Sequence, residues 1–522
     1  SDSRVLSTDI DKSILRGVPV QTVLRSFGRA FASHSFITGV YDLSEEVTTL
    51  DDFISHDWAA GRCAKFITLC LVYNGWPAAF ASIGLGAALV AGQLCCVLPV
   101  PAPVQETSKI IDHYGYWCQV CCPILFFAVL LWWQQLEGRL RRVLSMRLKT
   151  VFVDKYCIDQ EDSSKKEAGI LGLGGFLKSA DRLVICWSPR YFTRLWCTYE
   201  VASWLHLNKP LEAIIFFPLI QAKMTFLLMA TSSVVTLVYW LTLYLTSGQW
   251  AVPTLAGSLL AALPVPVHHL RRCVHELRRL PEQLESFSIR EADCYCCANN
   301  HCHPSDPEAV IPCDRELVQQ TVRGWFRMRT RSSLLPSEDS LDAFDRKFRG
   351  LFRGFMNERS SPVQLPYRYL VLAGWPVLFR AMDVSNAFGK GPTDLVIRII
   401  TEILLVVFVL VPSCLNLAFR LASLGDRVFG IQERSFRDKM TTLGMAFALG
   451  AIFVAWWTSL MIANRMESVL PFAGVATVEC LLGALLFQDE IKGLFCRPAA
   501  GCGPCPSGCR RKDPKAEQSV CV

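Results

Sequence analysis

Long apolar runs alternate along the chain with polar segments. Six runs hold about 20 mainly apolar residues, the length that an α-helix needs to cross a bilayer. They cover 76–98, 116–135, 223–246, 397–421, 440–462 and 469–488. Two more runs, 250–267 and 367–384, are shorter or interrupted by proline. This pattern predicts a multipass α-helical membrane protein.

Basic side chains cluster in the connections between these runs. Loops rich in Lys and Arg face the cytosol, which places the basic residues of 139–149, 271–279 and 427–439 on that side. The connections 99–115 and 385–394 carry one lysine each and are predicted to lie opposite. Eight spans, grouped two, two and four, keep every basic loop inside, so both termini of this integral membrane protein are expected in the cytosol.

The predicted spans divide the chain into soluble and membrane parts. In chain order these are a cytosolic N-terminal segment 1–49, the first piece 50–62 of a soluble domain, a transmembrane hairpin 63–135, the second piece 136–222 of that domain, a second hairpin 223–267, a cytosolic region 268–366, a four-helix transmembrane region 367–488 and a Cys-rich basic tail 489–522.

Four short runs between the spans have the pattern of buried strands. They are DDFISHDW (51–58), KTVFVDKY (149–156), DRLVICWS (181–188) and EAIIFFPL (212–219). Continuous apolar runs of this length, alternating with helical segments, favour a parallel sheet covered on both faces. The soluble domain is therefore predicted to be α/β, with its sheet assembled from both sides of the first hairpin.

Composition agrees with a membrane protein. Hydrophobic residues make up 52% of the 522 residues and charged residues 19%, which is more apolar than an average soluble domain. The net charge of +7 lies beside the apolar runs and not along one aromatic-rich face, so we expect membrane lipids and no nucleic acid as partners. Many of the 23 cysteines lie in spans or beside basic loops, where thiols stay reduced.

The stretch SPRYFTRLWCTYEVASWL, residues 188–205, follows the third predicted strand. Thr193 is the expected N-cap of the next helix. Trp196 and Glu200 then lie one turn apart on one face, at the carboxyl end of a parallel strand, where open α/β sheets bind ligands. The alternative is that Trp196 and Cys197 belong to the core and Glu200 is solvated.

The succession DDFISHDW, VFVDKYCIDQED, ADRLVICWSPRYFTRLWCTYEVASWL and LEAIIFFPL resembles a Toll/interleukin-1 receptor (TIR) domain. The most specific part is Trp-Cys-x-x-Glu after Ser-Pro-x-Tyr, and the resemblance covers roughly 50–60 and 147–220. The whole arrangement resembles an uncharacterised family of multipass membrane proteins of single-celled eukaryotes. A membrane hairpin here takes the place of the usual first helix of the domain.

The resemblance implies a fold, an assembly mode and an activity. TIR domains are flavodoxin-like, they self-associate through the long loop after the second strand, and some members hydrolyse NAD. Carried over, the catalytic residue is Glu200 with Trp196 as its neighbour. His56, Asp57 and Trp58, at the end of the first strand, would line the same pocket, in which Asp57, Trp58 and Trp196 would bind the NAD cofactor.

Residues 294–313, CYCCANNHCHPSDPEAVIPC, concentrate thiols and imidazoles in a predicted cytosolic region. Such groups bind zinc tetrahedrally; the candidate ligands are Cys294, Cys296, Cys297, His301, Cys302 and Cys313. The spacing lacks the two separated pairs of a zinc finger, so an unliganded or redox-active thiol cluster is the alternative. The next helix groups Leu317, Thr321 and Trp325 on one face, which we expect to pack on the cluster or the membrane surface.

Ionisable residues interrupt two of the C-terminal spans. Glu479 lies within one span, and Arg398 and Glu402 lie one turn apart in another. Intramembrane charges are functional candidates, although Arg398 and Glu402 can also pair with each other. Past the last span, four cysteines stand beside Arg510 and Arg511. That pattern favours S-acylation, with zinc binding or a disordered tail with idle thiols as alternatives.

These observations lead to three functional hypotheses. In the first, a cytosolic TIR-like domain on a multipass membrane protein acts as a signalling or assembly platform. In the second, the protein cleaves the nicotinamide–ribose bond of NAD with Glu200. In the third, the C-terminal spans transport an ion or solute with the help of Glu479. The first requires that 51–58, 149–156 and 181–188 share one parallel sheet.

Overall fold

The computed structural model describes residues 5–32, 39–99, 115–245, 250–303, 306–329, 339–358, 365–384, 393–430, 435–466 and 469–488. Its strands are β1 Arg16–Pro19, β2 Glu45–Glu46, β3 Leu50–His56, β4 Thr150–Phe152, β5 Ala180–Trp187, β6 Ile214–Pro218, β7 Cys302–His303 and β8 Asp306–Val310.

The helices alternate with these strands in the first half of the chain and dominate the second half. They are α1 Val20–Val23, α2 Arg25–Gly28, α3 Arg62–Leu94, α4 Trp117–Val143, α5 Asp154–Cys157, α6 Ser163–Leu171, α7 Leu173–Ser179, α8 Leu195–His206, α9 Leu219–Leu245, α10 Ala251–Ala262, α11 Pro264–Glu285, α12 Tyr295–Ala298, α13 Asp314–Arg329, α14 Ser340–Glu358, α15 Tyr367–Val384, α16 Thr393–Leu405, α17 Val411–Phe429, α18 Phe436–Arg465 and α19 Val469–Leu486. A π-helical segment, Val406–Leu410, joins α16 to α17.

The four predicted strands form the parallel centre of a six-stranded sheet. Across the sheet the order is β2, β1, β4, β3, β5, β6. β3 pairs in parallel with both β4 and β5, and β5 pairs in parallel with β6. The expectation that 51–58, 149–156 and 181–188 share one parallel sheet is confirmed, and the soluble part is α/β.

Two strands from the N-terminal segment extend this sheet, which the sequence pattern did not predict. β1 pairs antiparallel with β4 on one side and with β2 on the other. β1 is only four residues long and contains Gly17 and Pro19, both poor strand formers. The extended conformation of β1 therefore results from its pairing with β4 and not from the strand propensity of its own residues.

The first helix of the α/β domain and the first predicted span are one helix. Five residues separate the end of β3 from the start of α3, and the first turns of α3 bury Phe66 and Leu69 in the same core as the sheet. From Trp76 onward the helix exposes large apolar side chains, with Trp76 64% and Phe80 67% exposed. The predicted span 76–98 is thus the second part of a 33-residue helix.

The glycine-rich run after β4 lies on the sheet as α6 and α7, which meet at Gly172. A methyl group added at Gly174 would lie 2.7 Å from the carbonyl oxygen of Ser7, and one added at Gly175 would lie 2.6 Å from Ile10. These glycines therefore let the N-terminal segment pass close over α7.

Within the described ranges, five helices are long and apolar enough to cross a membrane. They are Arg62–Leu94, Trp117–Val143, Leu219–Thr242, Val396–Val428 and Phe436–Ala463. Two shorter apolar helices, Val252–Ala262 and Leu470–Leu486, accompany them. These helices are compatible with an integral membrane protein, and the count of eight spans stays a prediction. Most of the two connections predicted to lie outside, at 100–114 and 385–392, and the tail after 488 are outside the described residues.

Buried ion pairs join the basic helix α11 to the C-terminal bundle. Arg271, 2% exposed, pairs with Asp438 at 2.7 Å and donates to the Thr442 hydroxyl at 2.8 Å. Arg278 pairs with Asp426 at 3.1 Å. Basic residues predicted to mark a cytosolic loop thus lie on a helix that anchors to α17 and α18.

Candidate functional site

The predicted site residues gather where β3 and β5 end. Because these strands are parallel and adjacent, their carboxyl ends lie at the same edge of the sheet. β3 leads there into Asp57 and Trp58, and β5 leads into Ser188 and the turn before α8. Glu200 lies on α8, one turn beyond Trp196.

A hydrogen-bonded chain runs from Tyr191 through Ser55 to Glu200. The Ser55 hydroxyl donates to the Glu200 carboxylate, and Ser55 also bonds to the Tyr191 hydroxyl. Ser55 and Tyr191 are fully buried. Burial raises the pKa of Glu200 to about 8, against the effect of the Ser55 hydroxyl, and the nearby Asp154 carboxylate adds to the rise. At neutral pH Glu200 is therefore mostly a neutral acid, not the solvated carboxylate of the alternative prediction.

Asp57 and Trp58 are held by the ends of the neighbouring strands. The Asp57 carboxylate accepts the Ala59 N–H at 3.0 Å and the Ser188 hydroxyl at 3.2 Å. The Trp58 indole N–H donates to Asp154 at 2.6 Å. Burial raises the pKa of Asp154, while the N–H groups of Trp58 and Lys155 oppose that rise. The side chains of Asp57, Trp58 and Asp154 thus all have hydrogen-bond partners within the protein.

Lys65 brings the start of α3 into the same cluster. Its side chain is fully buried, and its ammonium group donates to the Trp58 carbonyl at 3.2 Å. The ammonium also lies 5.3 Å from the centre of the Trp58 ring and 5.6 Å from that of Phe31. α3 therefore supplies an ammonium group to the cluster, beside that of Lys155, which lies 5.6 Å from the centre of the same Trp58 ring.

The start of α8 differs from the prediction. Thr193 is not the N-cap, because α8 begins at Leu195 with Arg194 before it. The Thr193 hydroxyl instead bonds to the Arg190 carbonyl and to the Asp293 carboxylate, each at 3.0 Å. The main-chain carbonyl of Asp293 also accepts the Leu195 N–H at 3.1 Å, so a residue about one hundred positions later satisfies the helix start.

Trp196 and Cys197 divide between the two faces of α8. Trp196 is half-buried and packs edge-on against Tyr199, with 5.8 Å between ring centres. Cys197 is buried, its thiol donates to the His56 carbonyl at 3.6 Å, and burial raises its pKa well above the ordinary value. The prediction that Cys197 is a core residue is confirmed.

The region after α11 covers α8 and the turn before it. Trp325 of α13 stacks on His206 at 4.2 Å and on Tyr199 at 5.8 Å. Phe348 and Phe352 of α14 pack edge-on against Phe192 at 5.8 and 5.3 Å. The predicted apolar face of α13 therefore packs on the α/β domain, and we refer to residues 286–358 as the cover.

The cysteine cluster lies inside this cover. Sγ–Sγ distances are 3.9 Å from Cys296 to Cys297 and 3.9 Å from Cys297 to Cys313. Cys296, Cys313 and a ring nitrogen of His301 also lie within 4.8 Å of one another. A tetrahedron with Zn–S bonds of about 2.3 Å separates its thiolates by about 3.8 Å. The cluster therefore contains two overlapping groups with metal-ligand spacing, which share Cys296: Cys294, Cys296 and Cys297 form the first, and Cys296, His301 and Cys313 form the second.

Cys294 and Cys302 differ in their relation to these groups. Cys294 belongs to the first group, although its thiol is 3.0 Å from that of Cys296, which is closer than two thiolates on one tetrahedral metal. Cys302 is exposed and lies outside both groups that satisfy metal-ligand spacing. Burial opposes ionisation of Cys296, but contacts with the Cys294 thiol and the Asp314 N–H lower its pKa below the ordinary value. Cys296 is thus the member of the cluster best prepared to be a thiolate.

No family model, curated protein or solved structure matches this chain.

Four contributors to the site were not predicted: Ser55, Lys65, Asp154 and Tyr191. Asp154 directly follows the buried run TVFV, so the rule that polar residues at strand ends meet at one edge of a parallel sheet identifies it. Ser55 and Lys65 carry no such signal, because one is a small residue within a strand and the other begins a long apolar helix.

Proposed function

We propose that the protein is a signalling or assembly platform, in which a cytosolic TIR-like domain is coupled to membrane-spanning helices. The observation that supports this most is the continuity of strands and spans. β6 runs directly into α9, β3 reaches α3 across five residues, and α4 leads back into β4 across six. A tilt of any of these helices would move a strand of the sheet.

Asp52 strengthens this coupling at the centre of the sheet. It is fully buried in β3 and accepts two hydrogen bonds from Arg182 of β5, at 2.6 and 3.0 Å. Its second oxygen also accepts the hydroxyl of Tyr73 in α3 at 2.9 Å. One carboxylate thus joins two strands to the helix that continues into the membrane.

Strand order supports the TIR-like assignment. The four parallel strands lie in the order second, first, third, fourth along the sheet, which is the flavodoxin-like, doubly wound order. The first turns of α3 occupy the place of the first helix after the first strand. This explains how a membrane hairpin interrupts the domain without disrupting its sheet.

The platform is favoured over NAD hydrolysis by the state of Glu200. A catalytic carboxylate that stabilises a developing cation must be ionised and must face the substrate. Glu200 is mostly neutral at pH 7 and is bonded to Ser55. The cover packs on Tyr199, the neighbour of Glu200 on α8. These features suit a structural acid better than a catalytic one.

We further propose zinc as the metal of the cover, with Cys296, Cys297, Cys313 and His301 as ligands. A soft, thiolate-rich tetrahedral set of this kind suits zinc. The metal would link the segment after Asp293, which holds the start of α8, to the first turn of α13, whose Trp325 stacks on the same helix. In this arrangement zinc fixes the cover on the α/β domain.

We propose that the protein self-associates through α6 and the turn before it. This segment follows the second parallel strand, where TIR domains have their long loop. Residues 161–167 are all exposed and carry charges of both signs. The buried Asp159 carboxylate shapes the turn by accepting the N–H groups of Glu161 and Asp162 at 2.9 and 3.1 Å. A surface of mixed charge that is fixed in this way can pair with a second copy of itself.

Replacing Glu200 by glutamine tests the structural role of this acid. The pKa of Glu200 is raised from its ordinary value of 4.5 to about 8 in the folded protein, so the stability it contributes is complete below pH 4.5 and is lost as pH rises through 8. That loss approaches about 1.4 kcal/mol per pH unit between these values. Thermal unfolding of the full-length protein should therefore show Glu200→Gln gaining stability relative to wild type as pH increases from 4.5 to 8.

Incubation of the wild type and of Glu200→Gln with NAD distinguishes the platform hypothesis from the enzyme hypothesis. We expect neither to consume NAD at a rate above buffer. NAD consumption by the wild type that disappears in Glu200→Gln would contradict the platform and establish the enzyme. A stability difference that does not change with pH would contradict the buried neutral acid.

A further inference from the structure

A buried acid lies among the C-terminal helices, far from the sheet. Glu479 of α19 is 1% exposed, and neither oxygen of its carboxyl group has a hydrogen-bond partner among the described residues. The helix around it, VLPFAGVATVECLLGALL, is otherwise without charge. An ionised carboxylate without partners in such surroundings is strongly disfavoured.

The face of α19 that carries Glu479 packs against the π-helical segment. Gly483 lies one turn after Glu479 on the same face, and a methyl group added there would lie 3.0 Å from Val409 and 3.5 Å from the Ser413 hydroxyl oxygen. Val409 belongs to the π segment, which interrupts the regular hydrogen bonding of a helix and is frequent at functional sites.

Two more polar side chains are buried at this contact. Ser413 is 1% exposed, and its hydroxyl has no hydrogen-bond partner among the described residues. Glu402 of α16 is 3% exposed and lies within electrostatic range of Glu479. A second carboxyl group and a hydroxyl therefore lie in the apolar surroundings of Glu479.

Two arginines of this region are bonded at the ends of the helices. Arg398 donates to the Met466 carbonyl at 2.8 Å, just before α19 begins. Arg420 donates to the Asn416 amide oxygen at 3.0 Å and to the Leu486 carbonyl at 3.3 Å, at the other end of α19. A third, Arg380 of α15, is 8% exposed and lies over two aromatic rings. The thiol of Cys414 is a further titratable group within electrostatic range of Glu479.

We propose that Glu479 forms a proton-binding site within the membrane-spanning part, with Ser413 and Glu402 as the polar groups beside it. A bound proton removes the charge that the apolar helices cannot accommodate. A metal cation is a poorer fit, because hard cations take about six oxygen ligands and this contact supplies two carboxyl groups and one hydroxyl. Release of the proton leaves a negative charge on Glu479 between α19 and the π segment. Because this charge is disfavoured among apolar side chains, the two helical segments would move apart.

Infrared difference spectroscopy on the full-length protein in nanodiscs tests the site. Wild type should give a protonated-carboxyl band near neutral pH that shifts when H2O is exchanged for D2O. Glu479→Gln should remove this band, while Ser413→Ala should keep it at an altered frequency. Glu200→Gln is the control, because it removes a second carboxyl band from the α/β domain and leaves the membrane band unchanged.

Two results would overturn the site. One is a spectrum in which Glu479→Gln removes no protonated-carboxyl band, which would mean that Glu479 is ionised. The other is a band that never exchanges in D2O, which would mean that the acid is sealed from water. Neither result bears on the platform, since the site lies outside the α/β domain.

Discussion

Replacing Cys296 by serine is expected to release the cover from the α/β domain. Cys296 belongs to both groups that satisfy metal-ligand spacing, so its loss removes the shared ligand. Structural zinc contributes on the order of 10 kcal/mol of binding free energy to small domains, which makes this the largest expected effect. Hydrogen exchange of the full-length protein should accelerate in α13 and in the first turn of α8. The zinc content measured by metal analysis should fall by one ion per chain.

Cys302→Ser is the matched control for this experiment. Cys302 lies in the same segment but is exposed and outside the metal-ligand groups, so exchange and zinc content should remain as in the wild type. A wild-type protein without zinc, together with unchanged exchange in Cys296→Ser, would reject the metal and leave a thiol cluster.

Replacing Asp52 by alanine is expected to uncouple α3 from the sheet. The change leaves the Arg182 guanidinium and the Tyr73 hydroxyl without their shared acceptor. Removal of one partner of a buried pair costs roughly 3 kcal/mol or more, and we take the lower value because Arg182 is partly exposed. Exchange should accelerate about 100-fold in β3, β5 and the first turns of α3.

Asp51→Ala serves as the comparison on the neighbouring residue of the same strand. Asp51 pairs with the exposed Arg147 at 3.1 Å and accepts the Thr150 N–H at 2.8 Å. Exposed pairs contribute at most about 1 kcal/mol, so exchange in α3 should change little. Equal effects of the two alanine variants on α3 would show that Asp52 has no special role in coupling.

The centre of the fold follows from sequence because its strands are continuous apolar runs. Their length and spacing predict the parallel sheet, and the length of the apolar helices predicts the membrane part. β1 escapes prediction because four residues with a glycine and a proline have no strand signal of their own. The double role of α3 escapes prediction because Lys65 and Phe66 are buried by contacts with Trp58 and with the N-terminal segment, which a hydropathy pattern does not reveal.

The sequence predicted where the candidate site residues lie better than it predicted which side chains they contact. Asp57, Trp58 and Glu200 do meet at one edge of the sheet, but through Ser55 and Asp154, which the sequence did not single out. Thr193 was wrongly predicted as an N-cap because the helix start is satisfied by Asp293, a contact with no local signature. In the cysteine cluster, residue types predict a metal centre, but only the distances separate Cys302 from the candidate ligands.

The number of protein chains in each membrane assembly tests the platform hypothesis most directly. Full-length protein with one fluorescent tag, reconstituted into liposomes at low density, should bleach in two or more steps. Lys166→Glu reverses a charge on the exposed face of α6 and should shift the population toward single bleaching steps. Lys12→Glu replaces an exposed lysine outside α6 and should not change the distribution. Wild-type protein that bleaches in single steps at every density would contradict the platform.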